Sequence, residues 1–187
     1  MVNYKQPSAD KRYNLWGNMN TRCYNTRYHE TRPGYAECSI CDEWLDGKAG
    51  RQKFYEWVNH NYYVIDNEDS VQLDKDILVP GNKVYSPDTC IFVPKRINDL
   101  FTHIDGYGKN GLPVGVRFNK NVKKYQASIS KNNKNVNLGY YDTPEEASAV
   151  YRKHKSAEII AIADEYQDVI PEKLYKAMIH RAELLLP

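Results

Sequence analysis

The sequence predicts an α+β fold in two successive parts, and three observations predict it. Between Val71 and Phe101, two short apolar runs are separated by turn residues and followed by a proline and a helical pattern. Between Val114 and Tyr141, apolar and polar residues alternate with period two, interrupted by a basic turn and an asparagine-rich one. Apolar residues at three- and four-residue spacing precede, separate and follow these stretches. The expected order is a ββα segment with flanking helices (1–102), a linker (103–111), a three-stranded antiparallel sheet plus helix (112–158) and C-terminal helices (159–187).

Charge and composition narrow the function little. The chain has 26 Lys and Arg against 24 Asp and Glu, for a formal net charge of +2. That balance neither demands nor excludes a nucleic-acid partner, so the placement of the charges decides. Tyrosine is abundant, with 16 residues against 4 Phe. A tyrosine buries its ring and keeps its hydroxyl wet, which suits small domains and polar interfaces. No apolar run is long enough to span a bilayer. The opening MVNYKQPSADKRYNLWG lacks the apolar core of a signal peptide. A cytoplasmic, reducing compartment is expected, without structural disulfides.

Residues 1–12 are polar and are expected to fray. From Tyr13 onward Leu15, Trp16, Met19, Cys23 and Tyr24 mark a helix, with Arg22, Arg27 and Arg32 close behind. Pro33-Gly34 reads as a turn. Cys38-Ser39-Ile40-Cys41 is a CxxC, which in a reducing compartment suggests zinc more than a disulfide. A structural zinc needs four ligands. Cys23, Cys38, Cys41 and Cys90 would supply them, with His29 as another fourth ligand. Against that set, Cys23 fits an apolar helix face and Cys90 an apolar strand, where a free thiol behaves as a small core residue. Phe54, Trp57, Val58 and Asn61 mark one face of a second helix, and Trp44 and Leu45 are anchors before it. Trp44 and Trp57 are expected in the core, with a base-stacking platform as the other use. His60 sits where it would cap the helix end. Asp66 to Ser70 reads as an acidic loop.

The ββα reading follows from Val71, Leu73 and Ile77, the Gly81-Asn82 and Ser86-Pro87 turns, the run Cys90-Ile91-Phe92-Val93, and Pro94 opening a helix from Lys95 to Phe101. This order resembles the core of HNH-type nucleases of the His-Me finger class. Asp74-Lys75 falls on the family's Asp-His, Thr89-Cys90-Ile91-Phe92-Val93 on its Asn-Leu-x-Trp-Val, and Asn98 on its helix Asn. The resemblance implies Asp74, Lys75 and Asn98 as the catalytic positions, with Asp74 and Asn98 holding one Mg²⁺; Asp76 adds a further oxygen ligand of the kind Mg²⁺ accepts. Lys75 stands where the family has its general-base His, and Thr89 where it has the orienting Asn. An ordinary ammonium, with a pKa near 10.4, is protonated at neutral pH and takes no proton from water. It would need burial to lower that value by roughly three units. Failing that, it would stabilise transition-state charge. His29 or His60 is the other source of a base.

The residues His103 to Gly111 are glycine-rich and read as a linker. Beyond them, strands are expected at Val114 to Asn119, Tyr125 to Ser130 and Asn135 to Tyr140. Thr143-Pro144-Glu145-Glu146 is a helix start with Thr as N-cap and Pro at the first helical position. Tyr125, Ala127, Ile129, Val136 and Leu138 point toward that helix. Arg117, Asn119, Gln126, Ser128, Ser130, Asn135 and Asn137 point away from it. Arg, Asn and Gln are side chains that read base edges. Lys120, Lys123, Lys124, Lys131 and Lys134 are placed for phosphates. Solvated faces usually mix in acids, yet from Val114 to Tyr141 there is no Asp or Glu.

This stretch resembles the AP2 DNA-binding domain. The likeness rests on Gly115-Val116-Arg117, Lys124-Tyr125-Gln126-Ala127, the run Leu138-Gly139-Tyr140-Tyr141-Asp142-Thr143-Pro144-Glu145-Glu146-Ala147, and Tyr151. It implies a three-stranded sheet in the major groove of double-stranded DNA, backed by one helix. Ile159, Ile160, Ile162, Ala163, Tyr166 and Val169 continue the helix. Pro171 interrupts, and Leu174, Met178 and Leu185 give another, for core packing or a homodimer contact. An AP2-like module after an HNH-like segment is similar to phage and mobile-element homing endonucleases. The implied function is sequence-specific DNA binding with metal-dependent cleavage in question, in the host cytoplasm. The other reading is a non-catalytic phage regulator or inhibitor that uses the nuclease fold to bind DNA or a host protein.

Overall fold

Ser8 opens the first helix by accepting a hydrogen bond from the Lys11 amide, which satisfies one of the helix's unpaired N–H groups. In the computed structural model, residues 1–66, 71–102, 104, 106–108, 110–131 and 134–186 are described. Most of the expected acidic loop, three residues of the linker and the Asn132-Asn133 hairpin tip therefore lie outside the described residues. The architecture is mixed α+β. Among the described residues there are seven α-helices and several small sheets. No helix of these residues is long and apolar enough to cross a membrane. The chain divides into two units, Met1–Asn98 with Asp168–Leu174, and Asp99–Gln167 with Tyr175–Pro187.

In the first unit, β1 (Asn3–Tyr4) pairs antiparallel with β3 (Tyr63–Val64), so the N-terminus is pinned rather than frayed. Helix α1 (Ala9–Tyr24) buries Leu15, Met19 and Cys23, three residues of the predicted apolar face. Helix α2 (Thr26–Thr31) follows, capped by the Asn25 side chain, and then a short 3-10 turn at Pro33–Tyr35. Strand β2 (Ser39–Ile40) pairs in parallel with β5 (Val84–Tyr85). Helix α3 (Asp42–Leu45) leads into α4 (Gly47–Asn61). Gly50 is required there: a Cβ on it would run into the Trp44 carbonyl.

Trp44 and Phe54 are fully buried, and their rings meet edge-on at 4.9 Å. Trp57 joins them at 5.4 Å from Trp44 and reaches Phe92 at 5.6 Å. Trp44 is thus core, and Trp57 is half-buried against it. Strand β4 (Gln72–Asp74) pairs antiparallel with β6 (Ile91–Val93), and Pro94 hands β6 to helix α5 (Lys95–Leu100). The ββα order predicted from the sequence is present. Its core side holds Leu73, Cys90, Ile91, Phe92, Val93 and Ile97.

In the second unit, β7 (Val116–Asn119), β8 (Lys124–Lys131) and β9 (Lys134–Tyr141) form an antiparallel sheet in the order β7-β8-β9. Helix α6 (Pro144–Tyr166) packs on all three strands. It starts with Thr143 and Glu146 bonded to each other's backbone, a full capping box. It runs unbroken past residue 158. Val116, Ala127 and Ala147 are the buried centre, with Leu112, Tyr125, Leu138, Tyr141 and Val150 around them. Helix α7 (Glu172–Glu183) follows Pro171; its residues through Leu174 count with the first unit and the rest with the second. Leu174, Met178 and Leu185 are buried, as core packing requires.

Candidate functional site

The outer face of the three-stranded sheet is set by its register. Arg117 pairs with Gln126, Asn119 with Lys124, and Gln126 with Tyr140. A bulge between Ala127 and Ser128 shifts the rest, so Ser128 pairs with Asn137 and Ser130 with Asn135. Gly139 sits at this irregularity with φ +127°, a backbone state that L side chains rarely adopt. The bulge also turns Tyr140 onto the outer face, where it is exposed. Strict alternation from Val136 misses this residue. Gly139 inside a strand pattern was the signal for it.

The predicted base-reading residues do not share one role. Arg117, Ser130 and Asn135 are exposed, and Ser128 is half-buried. Asn119 is occupied: its Oδ1 accepts from the amides of Asn121 and Val122 and closes the β7–β8 turn. Asn137 likewise accepts from the Gly139 amide at 3.0 Å and holds the bulge. Both asparagines bond backbone locally, as turn asparagines do. Gln126 is only 4% exposed, so it is not a surface reader. Its Oε1 instead accepts from Arg117 Nε at 2.9 Å. Val136, expected toward the helix, is 41% exposed near the hairpin end. Lys120, Lys123, Lys131 and Lys134 are exposed around the face. Lys123 holds the turn with φ +54°. Lys124 bridges Asp142 at 3.0 Å, an exposed pair that contributes little to stability.

The ββα positions are tied into structure. Asp74 Oδ1 accepts from the amides of Asp76 and Ile77, at 2.9 and 2.8 Å. Burial, then the neighbouring Asp76 charge, raises its carboxyl to about 6. Lys75 is 6% exposed and donates to Asp76 at 3.2 Å. Its ammonium also lies 5.8 Å from the ring centres of both Tyr35 and Tyr85. Burial pulls the ammonium's pKa down, but Asp76, Cys38 and Asp74 outweigh it, and the net displacement is upward. That direction is opposite to the one a lysine base would need. Arg22 continues the cluster, donating to the Leu73 carbonyl and the Tyr85 hydroxyl at 3.2 and 3.4 Å.

Asn98 donates from Nδ2 to Gln72 Oε1 at 2.7 Å. Thr89 donates to the Val84 carbonyl and bonds Ser86, so it pins the loop before β6. Asn82 clamps the same loop through the carbonyls of Lys75 and Val84. Both histidines are anchored through one ring nitrogen, which leaves the other as an acceptor. His29 Nε2 faces the Arg22 carbonyl and His60 Nδ1 the Glu56 carbonyl, so each ring donates to backbone.

Among the described residues, no three His, Cys, Asp or Glu side chains gather as a metal set. The donors near β4 do not fit Mg²⁺ as they stand. An ammonium occupies Asp76, two amides occupy one oxygen of Asp74, and the Asn98 amide is turned to Gln72. The four cysteines are unbridged, and Cys23, Cys38 and Cys90 are buried. Burial pushes all four thiols up, Cys23 to about 12. Cys23, Cys38 and Cys90 stand as core thiols, and Cys41 is half-buried. Cys41 follows β2 and is the N-cap of α3, where its carbonyl receives the Trp44 and Leu45 amides.

No family model, no curated protein and no solved structure matches the chain.

Proposed function

We propose that the protein binds double-stranded DNA in a sequence-specific way through the outer face of β7-β8-β9, with the ββα segment serving as a scaffold. The observation that carries this reading is the make-up of that face. Over Val114 to Tyr141 it offers Arg117, five lysines, serines and asparagines, and no acid. A merely solvated face gains nothing from excluding acids, whereas a phosphate-facing one does. The sheet-plus-helix order and the capped α6 agree with an AP2-like module. The ββα order of the first unit agrees with an HNH-like segment, as in phage homing endonucleases.

Cleavage is the weaker half of that likeness. The mechanism needs a base that is neutral at pH 7 and a carboxylate open to a metal. Lys75 is held protonated by Asp76, and Asp74 is engaged by backbone. A degenerate nuclease segment kept for DNA or protein contact fits these bonds better than an active one.

The test is a gel assay of the full chain with plasmid and phage DNA, in Mg²⁺, Mn²⁺ or EDTA. The proposal expects a mobility shift in all three and no cutting. Metal-dependent cutting that Asp74→Ala abolishes would overturn the scaffold reading. Absence of any shift would overturn DNA binding.

A further inference from the structure

Gln126 breaks the pattern of the face it belongs to. The register puts it at the centre of the outer face, between Arg117 on β7 and Tyr140 on β9. Its neighbours in that row are exposed, yet Gln126 is 4% exposed. A buried amide is costly unless it is hydrogen-bonded. Here the bond goes to a charged partner, Arg117 Nε, at 2.9 Å.

That choice of nitrogen has a chemical consequence. A guanidinium is planar and carries five N–H donors in fixed directions. Once Nε is spent on Gln126, the plane is fixed about that bond. The two terminal amino groups remain as a forked pair on an otherwise exposed side chain. A forked pair matches two adjacent acceptors on a base edge, such as O6 and N7 of guanine in the major groove. An untethered arginine on the same strand would act more as a mobile charge, satisfied by any phosphate.

We propose that Gln126 is a positioning residue: it orients Arg117 as a two-donor fork, so that Arg117 contributes base discrimination and not only charge. This rests on the DNA-binding reading above. Gln126 itself touches no base. Tyr140, on the other side of Gln126, completes the row.

The experiment selects duplexes from a randomised library with the full-length wild-type chain. It then compares affinity for the selected duplex with affinity for a scrambled one. Gln126→Leu, close in size, should lower that ratio about tenfold. Its affinity for the scrambled duplex should stay within about twofold of wild type. Gln126→Glu keeps an acceptor for Nε and should retain the wild-type ratio. Arg117→Ala added to Gln126→Leu should lower the ratio little further, because the two act as one unit.

A merely structural role would move both affinities together and would move the melting temperature of Gln126→Leu with them. A Gln126→Leu ratio within twofold of wild type would overturn the positioning role while leaving DNA binding intact. Gln126→Glu behaving like Gln126→Leu would do the same. A wild-type chain that enriches no duplex would overturn the DNA reading, and the positioning role with it.

Discussion

Asp74 is a carboxyl with two opposed environments. Burial and Asp76 raise its pKa to about 6, while two backbone amides and Lys75 work against that rise. A folded pKa above the unfolded one makes ionisation costly in the native state. The folded state is therefore favoured below the unfolded pKa, and this advantage is lost as pH rises through about 6. Asp74→Asn keeps an amide-accepting oxygen and cannot ionise. Denaturant titrations should show it more stable than wild type at pH 8, by roughly 2 kcal/mol. The gap should close below about pH 4. Equal stability at pH 8 would mean Asp74 is an ordinary ionised carboxylate.

That Lys75 would need a lowered pKa to act as a base was legible from its type; that it lies near Tyr35 and Tyr85 was not, since those rings come from other parts of the chain. Asn119 and Asn137 read equally well as base readers or as turn residues. Only the backbone amides they accept from decide the matter. Gln126 looked like a surface reader because alternation assigns a face but not how deeply a side chain sits in it.

At the scale of the element, the best-read piece is α6. Its start is written in four consecutive residues, and the structure realises all of them as a capping box. Thr143→Ala should cost about 1 kcal/mol, measured by thermal or chemical denaturation. An unchanged midpoint would mean the cap is redundant in this fold. Gly115 is a stricter requirement. Its φ is +79°, and a Cβ there would overlap the Tyr151 ring on α6. Gly115→Ala should therefore cost more than the lost cap, roughly 2 kcal/mol or above. It should also loosen β7 from the helix. Wild-type stability would mean that Tyr151 can move aside.

Elements held by local signals were legible, and those held by distant pairing were not. The β7-β8-β9 order follows from short turns between alternating strands. The β2–β5 and β1–β3 pairs join two-residue strands across long separations, and no local pattern marks them. Gly139 shows the intermediate case. A glycine in a strand pattern signals a bulge, and the bulge moved Tyr140 to the other face.

For the whole molecule, a net charge of +2 hides an asymmetry. The stretch Val114 to Tyr141, which forms the sheet, carries Arg117 and five lysines and no Asp or Glu. Binding by such a face releases counterions, so affinity must fall steeply with salt. Position on the face should then matter more than charge alone. On the proposed DNA-binding reading, Arg117→Ala removes the fork, whereas Lys134→Ala removes one phosphate contact from the rim.

The most direct measurement is the affinity of the full chain for a selected duplex across a series of salt concentrations, beside the same series for these two variants. Wild type should show a steep log–log decline. Lys134→Ala should show a shallower slope with nearly the same sequence preference, and Arg117→Ala a larger loss confined to the selected duplex. Salt-insensitive binding, or equal losses for the two variants on selected and scrambled duplexes alike, would contradict that reading.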